Sequence, residues 1–385
     1  MNDLSFSYNN TKIKYIILLL YFLAGAGIVK GYIVMLVVYI VFTGKYFFAF
    51  HKNKIFSIFY LTLNGFVVSL FLIGMDRLTQ LKNPTDTFII WELNMLMLTY
   101  IAYKEGAVFY IEILYGFLFG IFIVDSIVVL YNINTSASFS GYGNLLNPIT
   151  GDVSNSPSYS NDFAIIFCGF FGLYANTKYK LLKIFSVSII IISTISGVFL
   201  GGRVFFIVIA LFLGIYLFYK KKINTSLGIM ILIIASCLYY MISNSYAELI
   251  INRFNDQGSE SIRYELWESG LNNLLEYPLG GSSINSFIYE GYSYHNLWLD
   301  VAMFAGWLPL FLLLIINSFI IYLYKKVYNK GFVMNVFILI AVLCLIVMGQ
   351  DVIVEGNMKI FAYYSIINAV IFSYINQIEE DLSVR

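Results

Sequence analysis

The chain has 385 residues, of which 60% are hydrophobic and only 12% charged, with a formal net charge of +1 and a mean hydropathy of +0.80. An ordinary soluble domain carries roughly 25% charged residues. So apolar a composition leaves too little polar surface to face water, which excludes a soluble enzyme, a nucleic-acid-binding domain and a secreted disulfide scaffold.

Apolar stretches near 20 residues long recur from end to end, each able to cross a ~30 Å hydrocarbon core. They predict an all-α polytopic integral membrane protein of about twelve transmembrane helices, one transmembrane domain over residues 1–385. The expected spans are 15–29, 31–50, 55–75, 88–103, 107–131, 161–176, 184–200, 204–219, 226–243, 296–323, 332–349 and 359–375. Lys12 and Lys14 before the first run, with Ala24-Gly25-Ala26 after it, imitate a signal peptide; a second span beginning at Gly31 favours a retained helix. Cys168, Cys237 and Cys344 all fall inside apolar runs, with no C-x-x-C spacing, and read as small buried hydrophobes.

Lysines and arginines in the turns set the orientation. A cytoplasmic N-terminus puts 16 of the 23 basic residues inside, clustered at Lys52/Lys54, Lys178/Lys180/Lys183, Lys220–Lys222 and Lys325/Lys326/Lys330. Both termini are then cytoplasmic. Fifteen of 18 lysines lie inside, yet four of five arginines (Arg77, Arg203, Arg253 and Arg263) lie outside. Lysine suffices as a topological point charge, whereas the planar guanidinium suits bidentate binding of phosphate or carboxylate. Arginines placed against the trend point to an anionic ligand on the outer face.

Two outer loops are long. Residues 132–160 are rich in Ser, Asn and Gly without Lys or Arg, and suggest an irregular lid. Residues 244–294 contain a helical pattern over 262–276, with apolar residues at 262, 266, 267, 271, 274 and 275. Ser261 suits its start, while Tyr277-Pro278 and Gly280-Gly281 end it. Such a helix is expected to lie flat at the outer interface with Trp267 at headgroup depth.

Of the two histidines, His295 opens the tenth span directly after this loop, in Tyr294-His295-Asn296-Leu297-Trp298. An interfacial histidine serves either as an amphipathic anchor or, near Arg253 and Arg263, as a proton acceptor. Glu92, Asp125 and Asp300 each lie a turn or two below the outer surface, where a charge is costly unless it faces the bundle interior or a cavity. They either line a polar cavity opening outward or are hydrogen-bonded between helices. Asp300, five residues after His295, stands about 140° round one helix from it, a poor position for orienting the ring. With one histidine, no cysteine and no D-x-D pair outside, no metal site is expected.

The chain resembles the O-antigen ligase/O-antigen polymerase superfamily of bacterial envelope polysaccharide enzymes. The resemblance rests on Gly201-Gly202-Arg203 between two mid-chain spans, then Arg253, Arg263 and Trp267 in a long loop. It continues through Pro278-Leu279-Gly280-Gly281 and closes on His295-Asn296, nine residues and Gly306. It covers about residues 196–310. Gly202 and Val204 flank the arginine where Ser and Gly are usual, and Pro309 stands where ligases carry Gly, Thr or Tyr. Both departures weaken the resemblance to a ligase more than the resemblance to the superfamily.

The resemblance implies a GT-C-like glycosyltransferase of the bacterial inner membrane, its active site facing the periplasm. The donor and acceptor would be undecaprenyl-pyrophosphate-linked oligosaccharides, used without cofactor or metal. It implies pyrophosphate binding by Arg203, Arg253 and Arg263, and catalytic roles for His295 and Arg263. Asn296, Trp267, Glu92, Asp125 and Asp300 would line the substrate cavity. A chain-length regulator is an expected partner. Two alternatives remain: a ligase transferring finished polysaccharide to lipid A–core, and a lipid-linked oligosaccharide flippase, which works by alternating access.

Overall fold

The computed structural model describes residues 11–27, 54–78, 107–135, 141, 143–220, 228, 262–280, 294–328, 331–351 and 358–383. The expected spans 31–50, 88–103 and, apart from Gly228, 226–243, together with Glu92 and Arg253, lie outside the described residues. Within them the chain is mostly helical, as befits an all-α membrane protein. The helices are α1 (Thr11–Gly25), α2 (Lys54–Leu78), α3 (Ala107–Thr135), α4 (Ser156–Asn176), α5 (Lys180–Phe199), α6 (Arg203–Lys220), α7 (Ile262–Glu276), α8 (Leu297–Ala305), α9 (Trp307–Val327), α10 (Phe332–Met348) and α11 (Met358–Ser383). Strands β1 (Asn144–Leu146) and β2 (Val153–Asn155) form an antiparallel hairpin between α3 and α4.

Among the described residues three stretches are long and apolar enough to cross a membrane: Ile111–Thr135, Lys180–Phe199 and Trp307–Val327. Their outward sides are apolar. Leu181 is 82% exposed and Ile184 55% on α5, and Phe311 60% on α9. Rows of bare aliphatic and aromatic groups of this kind suit hydrocarbon and would aggregate in water.

The chain divides into two compact units, one of residues 1–25, 29–117 and 263–385, the other of 26–28 and 118–262. In the second unit α4 packs on α5 and α6. The α4–α6 seam is aromatic: Phe171 meets Tyr216 edge-on with centroids 4.6 Å apart and Phe212 at 5.3 Å, the arrangement ring quadrupoles favour. The turn into α6 is bound to α4 by one hydroxyl. Ser160 Oγ donates to the Gly197 carbonyl (2.8 Å) and accepts from the Gly202 amide (3.2 Å). A Cβ at Gly202 would fall on the Ser160 side chain, so glycine is required there by the close approach.

In the first unit α8 and α9 pack on α2, and α10 on α11. A buried polar ladder joins α9 to α11: the Tyr324 hydroxyl donates to Asn368 Oδ1 (2.6 Å), and the Tyr364 hydroxyl to Asn317 Oδ1 (2.9 Å). Each asparagine returns its amide to a carbonyl one turn back on its own helix, so no polar atom of these amides is left to hydrocarbon.

Two expectations are corrected. The span expected over 296–323 is two helices, because Gly306 takes φ +76° between α8 and α9. The backbone there lies against the 278–280 turn: Trp307 N–H donates to the Pro278 carbonyl at 3.0 Å, and a Cβ at 306 would overlap that carbonyl oxygen. Nor is 132–160 irregular. The β1–β2 hairpin fills its middle, and Asn132 of α3 clamps it, donating to the Leu146 carbonyl (2.9 Å) and accepting from the Leu146 amide (3.1 Å). Asn155 then caps α4 by accepting from the Ser158 amide at 3.0 Å, and Pro157 stands in the first turn.

The clamp makes a prediction. Asn132→Ala removes both bonds to Leu146 and should speed hydrogen exchange at that amide by about tenfold or more, the equivalent of the ~1–3 kcal/mol that an unpaired buried polar group costs. Exchange within α4, away from the cap, should be unaffected.

Candidate functional site

The described candidate residues of the first unit converge on one short segment, Tyr294-His295-Asn296, which leads into α8. His295 has φ +52°, the left-handed region, and among the described residues it is the one non-glycine there. A histidine held in that conformation must be fixed by its neighbours, and both are. Asn296 is the N-cap of α8, its Oδ1 accepting from the amides of Trp298 (3.1 Å) and Leu299 (3.4 Å). On the other side Tyr294 is held at three points. Its amide donates to Asp300 Oδ1 (2.8 Å), its carbonyl accepts from Trp267 Nε1 (3.0 Å), and its hydroxyl accepts from Asn273 Nδ2.

These contacts give Asp300 and Trp267 positions that their sequence spacing did not specify. Asp300, fully buried, reaches back along α8 to grip the backbone before His295. Trp267 turns its N–H inwards to the same residue. The apolar stripe expected along α7 divides accordingly: Leu274 is buried with Ala302 and Leu310 against Trp298, whereas Leu271 and Leu275 are 56% and 71% exposed, along with Tyr264. Exposed Glu265, Glu268 and Glu276 occupy the next face, so α7 carries separate protein-facing, apolar and acidic sides.

The third element is the end of α10. Arg263 Nη1, in the first turn of α7, donates to Gln350 Oε1 (3.2 Å), and Asn296 Nδ2 donates to the Gly349 carbonyl (3.4 Å). Neither Gln350 nor Gly349, nor the tyrosine and asparagine pair Tyr294 and Asn273, was singled out from sequence. The available signal was the polar Gly349-Gln350-Asp351 directly after an unbroken apolar run.

Burial, and next the nearby guanidinium of Arg263, push the His295 imidazolium down from 6.5 to about 4. The ring is therefore neutral at physiological pH, able to accept on one nitrogen and donate from the other. Burial also raises the Tyr294 phenol, with the Asp300 carboxylate adding to the effect and the Asn273 bond opposing it. A guanidinium beside a neutral imidazole can bind an anion and a hydroxyl side by side. Among the described residues no three His, Cys, Asp or Glu side chains gather as metal ligands would.

The other candidates lie in the second unit. Arg203 is half-buried at the first residue of α6, directly after the Ser160-bound turn, and Asp125 is fully buried in α3. No family model, no curated protein and no solved structure matches the chain.

Because the folded protein holds the His295 proton less tightly than the unfolded chain, the stability that neutral His295 contributes is complete above 6.5. It falls away as the pH drops from there towards 4. With His51→Gln removing the second histidine, the remaining imidazole resonance should titrate near pH 4. Adding Arg263→Gln should move the midpoint upwards, short of 6.5 because burial remains. A midpoint at 6.5 in the His51→Gln protein would contradict both the burial and the arginine's influence.

Proposed function

We propose that the protein is an O-antigen polymerase, a GT-C-like glycosyltransferase with about twelve spans and both termini cytoplasmic. It transfers growing polysaccharide from undecaprenyl pyrophosphate to a new lipid-linked repeat unit at the periplasmic face of the bacterial inner membrane. One observation carries the reading: a half-buried neutral histidine, fixed in a left-handed backbone, stands in the field of Arg263 from the amphipathic helix α7.

The reaction asks for what such a pair supplies. An acceptor hydroxyl oxygen attacks the anomeric carbon as the bond to pyrophosphate breaks, and the electron pair leaves with the phosphate oxygen. In this reading Arg263 holds the leaving phosphate through its planar fork. His295 orients the hydroxyl and takes its proton. A ring at about 4 is a weak base in the empty site. A pyrophosphate bound to Arg263 would offset the cation and raise the ring's basicity, which ties proton transfer to donor occupancy. Arg203 and Arg253 enter as further phosphate ligands on sequence grounds. Asn296, Trp267 and Asp300 act in this reading by holding the His295 backbone, and the exposed apolar side of α7 is the part suited to a polyprenyl chain.

The test is a lipopolysaccharide gel from the source bacterium with the gene deleted, then restored as wild type, His295→Ala or Arg263→Gln. Deletion should leave core bearing a single repeat unit, and wild type should restore the ladder. Each variant, inserted at normal levels, should lower polymer by about 10²-fold or more, the scale of losing one transition-state contact. Bare core after deletion would overturn the reading. Polymer then accumulating on its lipid carrier would indicate the ligase, and single units retained inside the cell the flippase.

A further inference from the structure

The β1–β2 hairpin presents its apolar side chains in an unusual way. Leu146 and Val153 are directly opposite in the register and are 39% and 59% exposed, with Ile149 at the turn between them 42% exposed. Leu145, on the other face, is wholly buried. Apolar residues thus stand on both faces of the hairpin, with exposed Asn144 and Asn155 behind Leu146 and Val153, whereas a two-stranded ribbon in water keeps polar groups outward. Residues 146–153 carry one charge, that of Asp152, and the nearest basic residues along the chain are Lys104 and Lys178.

The height of this apolar tip is fixed. Two bonds of the Asn132 amide go to the Leu146 backbone and a third to the Val128 carbonyl one turn back on α3, so Leu146 is level with Asn132. That residue is the first polar one after the expected span 107–131, whose last five residues, 127–131, are Ile, Val, Val, Leu and Tyr. At 1.5 Å per residue such a stretch is about 37 Å long, against ~30 Å of hydrocarbon. It overhangs by about 3–4 Å at each end, which puts Asn132, about 1.5 Å past its end, about 5 Å above the hydrocarbon, at headgroup depth. The last turns of α3 expose Leu130, Tyr131 and Ile133 as well, at 59%, 37% and 45%.

We propose that this hairpin is a membrane foot, with Leu146, Ile149 and Val153 seated in the headgroup–acyl boundary of the leaflet at the C-terminal end of α3. Its occupant is the bilayer, recognised by apolar contact alone. With no lysine or arginine near, the seating does not depend on anionic lipid or salt. The inference is independent of the reaction proposed above.

The test uses the full-length protein in lipid nanodiscs with a single added cysteine, Val153→Cys or, on the facing strand, Leu146→Cys, carrying an environment-sensitive fluorophore. Cys168 and Cys344 are buried, and the parent protein labelled in parallel gives the background. Lipid bearing a nitroxide high on its acyl chain should quench either label about threefold more than aqueous iodide, with equal effect in zwitterionic and anionic bilayers. Stronger quenching by iodide would overturn the proposal, placing the hairpin in water. Protection from both quenchers would also overturn it, the tip then being covered by protein; and quenching only in anionic lipid would show electrostatic attachment instead.

Discussion

A backbone that crosses hydrocarbon has no water to bond, so every amide and carbonyl must find its partner within the protein. That constraint makes the described part of this chain helical, and it governs the polar exceptions equally. The buried ladder of Tyr324, Asn368, Tyr364 and Asn317 spends its side-chain groups on one another and on carbonyls one turn back. Asn132 binds the Leu146 backbone from the last turns of α3. Polar side chains therefore mark where one element is fixed to another.

The segment around His295 follows the same logic with a different result. Between Tyr294 and Gly306 the backbone twice takes a positive φ, at His295 and at Gly306. Each departure is held by side chains or turns from elsewhere in the first unit: Asp300, Trp267 and Asn273 on Tyr294, and the 278–280 turn on Gly306. The effect is to hold an uncharged imidazole at the head of a helix, in reach of the field of Arg263. Support for this segment comes from α7, α8 and α10 together.

Much of the helical framework was legible because hydropathy reports burial in lipid directly. The bounds of α5 and α10, the start of α6 and the end of α7 fall within a few residues of the expected ones. Apolar periodicity and the Pro278–Gly280 stop were enough for that. The break at Gly306 was less legible, since a single glycine inside an apolar run gives no warning until a carbonyl from another turn lies against it. The hairpin was misjudged for a related reason. Its Ser, Asn and Gly content describes a loop in composition, whereas its order comes from strand pairing, from bonds about Asn147 and from an asparagine fourteen residues away.

The sequence by itself determined the helical, membrane-adapted class of the chain, the amphipathic pattern of α7, and the residue types available for anion and hydroxyl binding. These depend on local composition and period, which no distant contact alters. Only the tertiary structure decided that Arg263 is held by Gln350, that Trp267 and Asp300 converge on the backbone of Tyr294, and that His295 is neutral. Those outcomes depend on residues up to 87 positions apart meeting at hydrogen-bonding distance, and on burial, which lowers a pKa only once the packing exists.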